Sequence, residues 1–356
     1  MRLRQCLMEW TPFAAMVIVE CLDVGLTTMS KAAMSKGMNH FTFVVYSNAL
    51  ATLILIPSSF FIKRITRTPL SFSLLCKFFL LGLIGITIMQ NCVFTGISYS
   101  SPTLGSAMSN LVPAITFILA VTFRMEKLDI RSSISQIKII GIVLSISGAL
   151  LVTLYKGAPI GGIQIQDQPS PSQPFPSVLL AQTDNWVIGG LFLGTASLSL
   201  ALQNIAQAAI VKEYPSQLTI VAFYCLFGTI QCAIISLIAI RDPNAWKLRT
   251  GIELISIFYS AIFGSVVTFS VLTWCIDKKG PVFVTMFKPL GIAIAAFTSA
   301  LFLGDTLHVG SAIGSLVIIF GVYTVLWAQS KEENAKARVD RLSPSSEQES
   351  PLLGSP

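Results

Sequence analysis

Charged residues are scarce in this sequence of 356 residues: Asp, Glu, Lys and Arg make up 12% of it, whereas 53% of the residues are hydrophobic. A soluble domain carries about 25% charged residues, so a chain of this composition could not cover a surface that faces water. The apolar residues also come in long runs rather than in short amphipathic stripes, which indicates lipid as the solvent. The scarcity of charge therefore predicts a polytopic membrane protein.

The residue types that build metal sites and disulfide frameworks are also nearly missing. There are only two histidines, and none of the seven cysteines forms a Cys-x-x-Cys pair. We therefore expect no metal site and no disulfide framework. His40 and His308 have no neighbours suited to catalysis, and the chain has no Walker A sequence, so we expect no enzyme, no ATP-driven pump and no cofactor.

The hydrophobic runs predict an all-α membrane protein with ten transmembrane helices. About 20 apolar residues are needed to cross the hydrocarbon core, and the runs are too long and too uniform for the strands of a barrel. The predicted spans are 11–31, 41–61, 78–98, 103–123, 137–155, 186–211, 218–240, 252–275, 281–302 and 309–329.

The basic residues lie mainly between these runs, so we interpret the formal net charge of +7 as a sign of membrane orientation rather than of nucleic acid binding. If the N-terminus lies in the cytoplasm, seventeen of the 24 Lys and Arg residues fall on the cytoplasmic side and six on the other side, with Lys288 inside a span. This asymmetry predicts that both termini are cytoplasmic. The predicted organisation is a cytoplasmic N-terminus at 1–10, five helices at 11–155, a flexible outer loop at 156–185, five helices at 186–329 and a disordered cytoplasmic tail at 330–356.

The two groups of five helices resemble each other in sequence. Residues 31–33 match 207–209 at a shift of 176, and residues 42–46 match 219–223 at a shift of 177. The pair Gly141 and Gly148 has the same spacing of seven as Gly314 and Gly321. Because five is odd, the halves would enter the membrane from opposite sides. Such an inverted repeat is typical of secondary transporters, whose halves rock around a central site.

Several longer motifs extend this pattern over most of the chain. They are Lys31-Ala32-Ala33, Tyr99-Ser100-Ser101-Pro102-Thr103-Leu104, Ala107-Met108-Ser109-Asn110-Leu111-Val112-Pro113-Ala114, Phe123-Arg124-Met125-Glu126, Lys279-Gly280-Pro281-Val282-Phe283, Met286-Phe287-Lys288-Pro289-Leu290 and Leu303-Gly304-Asp305. In these motifs, from about residue 10 to about residue 332, the chain resembles the plant drug/metabolite transporters of the EamA type, the Walls-Are-Thin and nodulin-like family.

The resemblance implies two EamA repeats around a central substrate cavity. It further implies facilitated movement of amino acids, or in some members of auxin, at the plasma membrane or the vacuolar membrane. The alternatives that stay open are another organic anion or a nucleotide sugar as substrate, and, in a different class, a receptor or scaffold that transports nothing. Direction of flux, coupling ion and oligomeric state are left open. Many members carry Gln where this chain has Glu20, and a titratable group at that place would allow proton coupling.

Three charged residues inside the predicted spans need an explanation, because a charge near the bilayer centre costs at least about 2.5–3.5 kcal/mol. Glu20 and Asp23 lie three residues apart, hence on one face of the first helix, and they are our candidates for proton coupling. Lys288 lies inside span nine. The alternatives are a structural ion pair for the two acids and a lysine that extends to the interface.

Two prolines predict broken helices at similar places in the two halves. Pro113 lies in span four and Pro289 follows Lys288 in span nine. A proline removes a helix hydrogen bond and exposes carbonyl groups, which is tolerated at membrane depth where a cavity is lined. Paired breaks of this kind indicate a binding site.

A zwitterionic amino acid needs a cation for its carboxylate and an anion for its ammonium, and Lys288 and Glu20 supply this pair. We expect Asn110, Gln90, Asn91, Gln203 and Gln207 to add neutral hydrogen bonds, and Trp274 and Tyr46 to contact an apolar side chain or an indole ring. For any one amide or aromatic residue, helix packing is the alternative role.

The end of the tail carries a motif of another kind. Glu347 and Glu349 precede Leu352 and Leu353, an acidic cluster before a Leu-Leu pair. This arrangement resembles a dileucine sorting signal and predicts a sorting adaptor as a partner, in addition to the lipid bilayer and the small-molecule substrate. An inert, solvated tail is the alternative.

Overall fold

The structure is a computed structural model. It describes residues 2–63, 71–100, 102–126, 131–155, 183–214, 216–241, 243–248, 251–302 and 309–342. The predicted sorting residues Leu352 and Leu353, and residues 156–182 of the predicted outer loop, lie outside these ranges.

The described residues form helices and connecting turns and contain no strand. The first half consists of α1 (Arg2–Ser35), α2 (His40–Lys63), α3 (Phe72–Gly82), a π-helical segment π1 (Leu83–Ile88), α4 (Met89–Tyr99), α5 (Pro102–Ser109), α6 (Val112–Thr122) and α7 (Ser133–Leu154). The second half consists of α8 (Thr183–Glu213), α9 (Gln217–Ala239), a short 3₁₀ turn (Pro243–Trp246), α10 (Ile252–Tyr259), a second π-helical segment π2 (Ser260–Val267), α11 (Thr268–Lys279), α12 (Pro281–Thr285), α13 (Lys288–Phe302) and α14 (Val309–Leu342).

These elements confirm the predicted membrane architecture. Within the described residues, ten helical segments are long and apolar enough to cross a membrane. Their bounds agree with the predicted spans to within a few residues; the largest shift is in span three, which begins at Phe72 rather than at 78. Because successive spans alternate in direction, the odd-numbered spans all begin on one side. We call this side the N-terminal face and the other side the opposite face.

The two halves are related by contacts between equivalent residues. The side-chain hydroxyls of Thr52 on α2 and Thr229 on α9 lie 3.2 Å apart, and these residues are 177 positions apart, which is the shift of the sequence repeat. Such a contact between equivalent residues occurs where a two-fold axis passes between two helices. The largest buried apolar cluster lies beside it, around Phe78, Ile220 and Tyr224.

The four glycines that matched in spacing form a second symmetric contact, between α7 and α14. A Cβ atom on Gly141 would lie 3.0 Å from the carbonyl oxygen of Gly321, and one on Gly148 would lie 2.9 Å from that of Gly314. The reverse contacts are equally close. The two helices therefore pack backbone against backbone, as small residues permit in membranes. We call these four residues the glycine seam.

The equivalent spans of the two halves share the same irregularities. Spans three and eight contain π1 and π2, whose first residues, Leu83 and Ser260, are 177 positions apart. Span four is interrupted between α5 and α6, and span nine is interrupted between α12 and α13. π-helical segments occur frequently at functional sites, so these four spans are where a site is expected.

The tail differs from its prediction in one respect. The sequence predicts a disordered tail from residue 330, whereas α14 continues to Leu342. The reason is local: residues 331–342 contain Glu, Lys, Ala and Arg, which are strong helix formers and extend a helix that has already begun.

Burial differs between the first segment of span nine, at the N-terminal face, and three segments that lie further from that face. Residues 281–287 of span nine are all buried. By contrast, residues 22–26 of α1, 89–95 of span three and 104–108 of α5 are all partly exposed, and these segments lie in the opposite half of the bundle. A helix packed on one side and facing lipid on the other would alternate between buried and exposed residues. Continuous partial exposure instead indicates open space between these helices.

Candidate functional site

The three charged residues inside the spans form one cluster. The Lys288 ammonium donates a hydrogen bond to Asp23 Oδ2 at 2.9 Å, and its Nζ lies 3.3 Å from Glu20 Oε1. The Glu20 contact is an ion pair without hydrogen-bond geometry, and Glu20 Oε1 has no hydrogen-bond partner among the described residues. Lys288 therefore has both predicted acids as neighbours, and Asp23 rather than Glu20 accepts its hydrogen bond. We call Glu20, Asp23 and Lys288 the charged triad.

The three side chains of the charged triad differ in their exposure to solvent. The side chain of Glu20 is 3% exposed, that of Lys288 is 23% exposed and that of Asp23 is 38% exposed. All other charged residues of the described spans lie within five residues of a span end. With all three groups ionised, the centre of the bundle carries a formal charge of −1.

The local structure of α13 explains how Lys288 reaches the two acids. Span nine breaks at Met286 and Phe287, and α13 restarts at Lys288. Pro289 has no N–H group and cannot donate to the carbonyl of Thr285. Lys288 thus stands at the first position of a new helix, and Glu20 and Asp23 approach it from one face of α1.

The corresponding break in span four places Asn110 between α5 and α6. Its side chain is buried at 1% exposure, and its Nδ2 finds no hydrogen-bond partner among the described residues. Pro113 follows at the start of α6 and cannot donate to the Ser109 carbonyl. A buried amide without a partner is costly, so this position is suited to receive a ligand acceptor.

The predicted glutamines of α8 form a chain of hydrogen bonds. Gln203 Nε2 donates to Gln207 Oε1 at 3.0 Å, and Gln207 Nε2 donates to Thr273 Oγ1 at 2.5 Å. Thr273 in turn donates to the carbonyl of Phe269 at 2.6 Å. The chain links α8 to α11, so in this conformation both amides are engaged within the protein.

The remaining predicted amides lie just after π1. Asn91 Nδ2 donates to the Thr87 carbonyl at 2.6 Å, whereas Gln90 Oε1 has no partner among the described residues. Thr87 itself, inside π1, donates to Gln231 Oε1 of α9 at 2.9 Å. The π-helical segment therefore joins span three to span seven through side chains.

The two predicted aromatic contacts have structural partners. The Tyr46 hydroxyl donates to the Trp246 carbonyl at 2.9 Å, and its ring meets the Trp246 ring edge-on at 6.1 Å. Trp274 packs beside an apolar cluster that contains Met16 and Phe287. This cluster adjoins the charged triad, because Met16 is one turn before Glu20 and Phe287 is next to Lys288 in the chain.

Sequence reasoning missed three groups that the structure places around these residues. They are Thr273, the partner of Gln207; Tyr224, whose buried hydroxyl has no partner among the described residues; and Gly291, which lies against Glu20. The spacing of Gly291, three residues after Lys288, was the available signal, because residues three apart share a helix face.

Comparisons with known proteins agree with this architecture. The EamA-like transporter family matches residues 13–154 and 187–327. A WAT1-related protein of Arabidopsis thaliana is 44% identical, with 98% of this chain and 96% of that protein covered. A second WAT1-related protein of that plant is also 44% identical, with 91% of this chain and 88% of that protein covered. A protein of Pinus taeda described as auxin-induced is 37% identical, with 90% of this chain and 79% of its own length covered.

A solved crystal structure has the same fold. It superposes with a TM-score of 0.67 and covers 89% of this chain and 98% of its own, at 12% sequence identity. At this identity the likeness shows the fold alone.

Proposed function

We propose, on the premise that this chain belongs to the EamA-like transporter family, that it carries zwitterionic amino acids by alternating access. Membership makes it a multi-pass membrane transporter of small solutes. The single observation that supports the finer proposal is the charged triad, in which one ammonium lies between two carboxylates at a helix break.

The triad offers a partner to each end of an amino acid. In this structure, Lys288 is hydrogen-bonded to Asp23. An incoming α-carboxylate takes the place of the Asp23 carboxylate at Lys288, and the α-ammonium pairs with Glu20 and with the released Asp23. Each broken charge contact is thus replaced by an equivalent one, so binding leaves no buried charge without a partner.

The formal charge of the triad separates this substrate from an organic anion. A carboxylate such as auxin would raise the local charge from −1 to −2 and bring no ammonium with it. Two like charges about 4 Å apart repel by about 4 kcal/mol at an effective dielectric constant of 20. A zwitterion avoids this repulsion, because its ammonium meets the two acids.

The uneven packing of the bundle supports alternating access. Residues 22–26, 89–95 and 104–108 are partly exposed, whereas residues 281–287, near the N-terminal face, are buried. Asp23, the most exposed member of the triad, would be the first that a substrate meets from the open side. Rocking of the two halves around the Thr52–Thr229 contact would exchange the open and the closed face.

Uptake into proteoliposomes tests the proposal. We expect saturable uptake of a labelled neutral amino acid, weaker uptake of labelled indole acetate, and no uptake of a nucleotide sugar. Lys288→Met should abolish amino-acid uptake, whereas Lys31→Met, at the exposed end of α1, should leave it unchanged as a matched control. Uptake of indole acetate without uptake of amino acids would favour the anion alternative, and uptake of neither would favour a receptor or scaffold.

A further inference from the structure

Gly291 lies on α13, one turn after Lys288, and it faces Glu20. A Cβ atom at this position would lie 2.6 Å from Glu20 Oε2 and 3.7 Å from Glu20 Cδ. Apart from its two chain neighbours and the backbone of its own helix, these are the only described atoms within 4 Å of that place. The missing side chain therefore makes room for one carboxylate and for nothing else.

The glycine seam shows a different use of glycine. There a Cβ atom would meet main-chain atoms of the partner helix, such as Ser145 N at 2.5 Å from Gly321. Those glycines let two helices approach each other. Gly291 meets no backbone of another helix, so helix packing does not explain it. Since glycine weakens a helix interior relative to alanine, its presence at this point calls for another reason.

We propose that Gly291 is a positioning residue that holds the Glu20 carboxylate against α13 as the acceptor of the substrate ammonium; this rests on the proposed function. In this position Glu20 Oε1 lies 3.3 Å from Lys288 without a hydrogen bond, while Asp23 holds the hydrogen bond to Lys288. The two acids thereby take different roles. Asp23 neutralises Lys288 before the substrate binds, and Glu20 keeps an oxygen without a hydrogen bond for the incoming ammonium.

Gly291→Ala is the direct test, with Gly190→Ala as its matched control. Gly190 lies inside α8 and a Cβ atom there meets nothing within 4 Å. Because only the end of a flexible side chain has to move at Gly291, we expect both variants to fold and to unfold at the parent's temperature or above. Gly291→Ala should raise KM for a neutral amino acid about tenfold or more, since small misplacements of a binding group have effects of this size. Gly190→Ala should leave KM unchanged.

A shorter acid at position 20 should reverse the rise in KM that Gly291→Ala causes. Glu20→Asp withdraws the carboxylate by one methylene group, so the added methyl of Gly291→Ala no longer meets it. We expect the double variant to bind an amino acid more tightly than Gly291→Ala alone. A KM for Gly291→Ala equal to that of the parent, or a double variant no better than Gly291→Ala, overturns the proposal.

A double-mutant cycle on Tm tests the contact between Gly291 and Glu20 without any substrate. It therefore separates this proposal from the proposed function. The change in Tm caused by Gly291→Ala should differ between the parent and a Glu20→Ala background, since contacting residues couple. Strict additivity with intact amino-acid uptake overturns the positioning role alone. Absence of amino-acid uptake by the parent overturns the proposed function, and the substrate role of Glu20 falls with it.

Discussion

At the scale of single residues, the charged triad combines one nearly buried acid with two partly exposed partners. A buried ion pair is strongly destabilised when one partner is removed, by about 3–5 kcal/mol, whereas an exposed pair contributes about 0–1 kcal/mol. Glu20 is 3% exposed and Asp23 is 38% exposed, so the two contacts of Lys288 lie near opposite ends of this range. Removing Lys288 should therefore destabilise the protein mainly because the Glu20 carboxylate stays buried without a cation.

The first prediction is that Lys288→Met lowers the free energy of unfolding by about 3 kcal/mol, the lower end of the range for a buried pair, and abolishes transport. The variant leaves Glu20 and Asp23 close together without a cation. Adding Glu20→Gln to Lys288→Met should restore stability, because the buried charge is then gone, but it should not restore transport. Thermal unfolding in detergent measures the first effect and uptake the second. Strict additivity of the two changes would mean that Glu20 and Lys288 do not interact.

The second prediction concerns proton coupling. If Glu20 exchanges a proton during the transport cycle, the flux of the parent changes across a series of external pH values. Glu20→Gln keeps the shape of the side chain and removes the titratable group, so its flux should be independent of pH while the protein stays folded. Uptake at constant substrate concentration across the series measures this. If the variant shows the same flux and the same pH response as the parent, Glu20 has a structural role and Asp23 is the remaining candidate.

At the scale of helices, two of the contacts between the halves differ in how easily they can break. The glycine seam is a close backbone contact between α7 and α14 that leaves no room for a side chain. On the N-terminal face, Lys77 of α3 forms an ion pair with Glu213 of α8, and both side chains are about half exposed at 41% and 53%. The glycine seam is therefore expected to stay intact throughout the transport cycle, whereas the ion pair can break when the N-terminal face opens.

The third prediction is that Gly321→Ala lowers the free energy of unfolding by about 1–3 kcal/mol, the usual range for overpacking a tight interface. The new Cβ atom would lie 2.5 Å from Ser145 N, and α7 and α14 would have to move apart. Gly190→Ala serves as the control, because it adds the same methyl group in open space. An equal Tm for the two variants would contradict the backbone contact.

The fourth prediction tests whether the Lys77–Glu213 pair keeps the N-terminal face closed. Glu213→Lys replaces attraction by repulsion and should shift the population towards a state open at that face. Cys275 on α11 is fully buried near this face, so its maleimide labelling should become faster in a chain whose other cysteines are replaced by serine.

The exchange variant is the control for this experiment. Lys77→Glu combined with Glu213→Lys restores opposite charges and should slow the labelling of Cys275 again. Equal labelling rates in the parent, the single variant and the exchange variant would mean that the Lys77–Glu213 pair does not keep the N-terminal face closed.

At the scale of the whole molecule, the inverted repeat places both ends of the ten-span bundle on one face. The excess of Lys and Arg predicts that this N-terminal face is cytoplasmic. The predicted sorting signal at Leu352 and Leu353 would direct the protein to one of two membranes, plasma or vacuolar.

The fifth prediction is that a protease site inserted in the 156–185 loop is cut only from the outer or lumenal side. The same site after residue 342 should be cut only from the cytosol. Intact and permeabilised vesicles distinguish the two cases. Cleavage of the loop site from the cytosol would reverse the assigned orientation, although it would leave the relation between the two halves untouched.

The sequence alone determined the number of spans, the repeat and the three charged residues of the centre, because each depends on local properties of the chain. Hydrophobic runs of span length and buried charges are visible without a fold. Lys288 followed by Pro289 likewise marked a break before any contact was known. The same locality explains why α14 runs past residue 330, since residues 331–342 are polar but also strong helix formers.

Only the tertiary structure decided which of these residues meet. Asp23, not Glu20, takes the hydrogen bond of Lys288, because that choice depends on how α1 and α13 are placed and not on residue type. The hydroxyl of Tyr46 donates to the carbonyl of Trp246, a partner that the residue type alone does not reveal. Gly291 carries no functional group. Its proposed role follows from the Glu20 carboxylate, which lies where a side chain of residue 291 would be. Such contacts join residues 200 or more positions apart, and no local pattern in the chain encodes them.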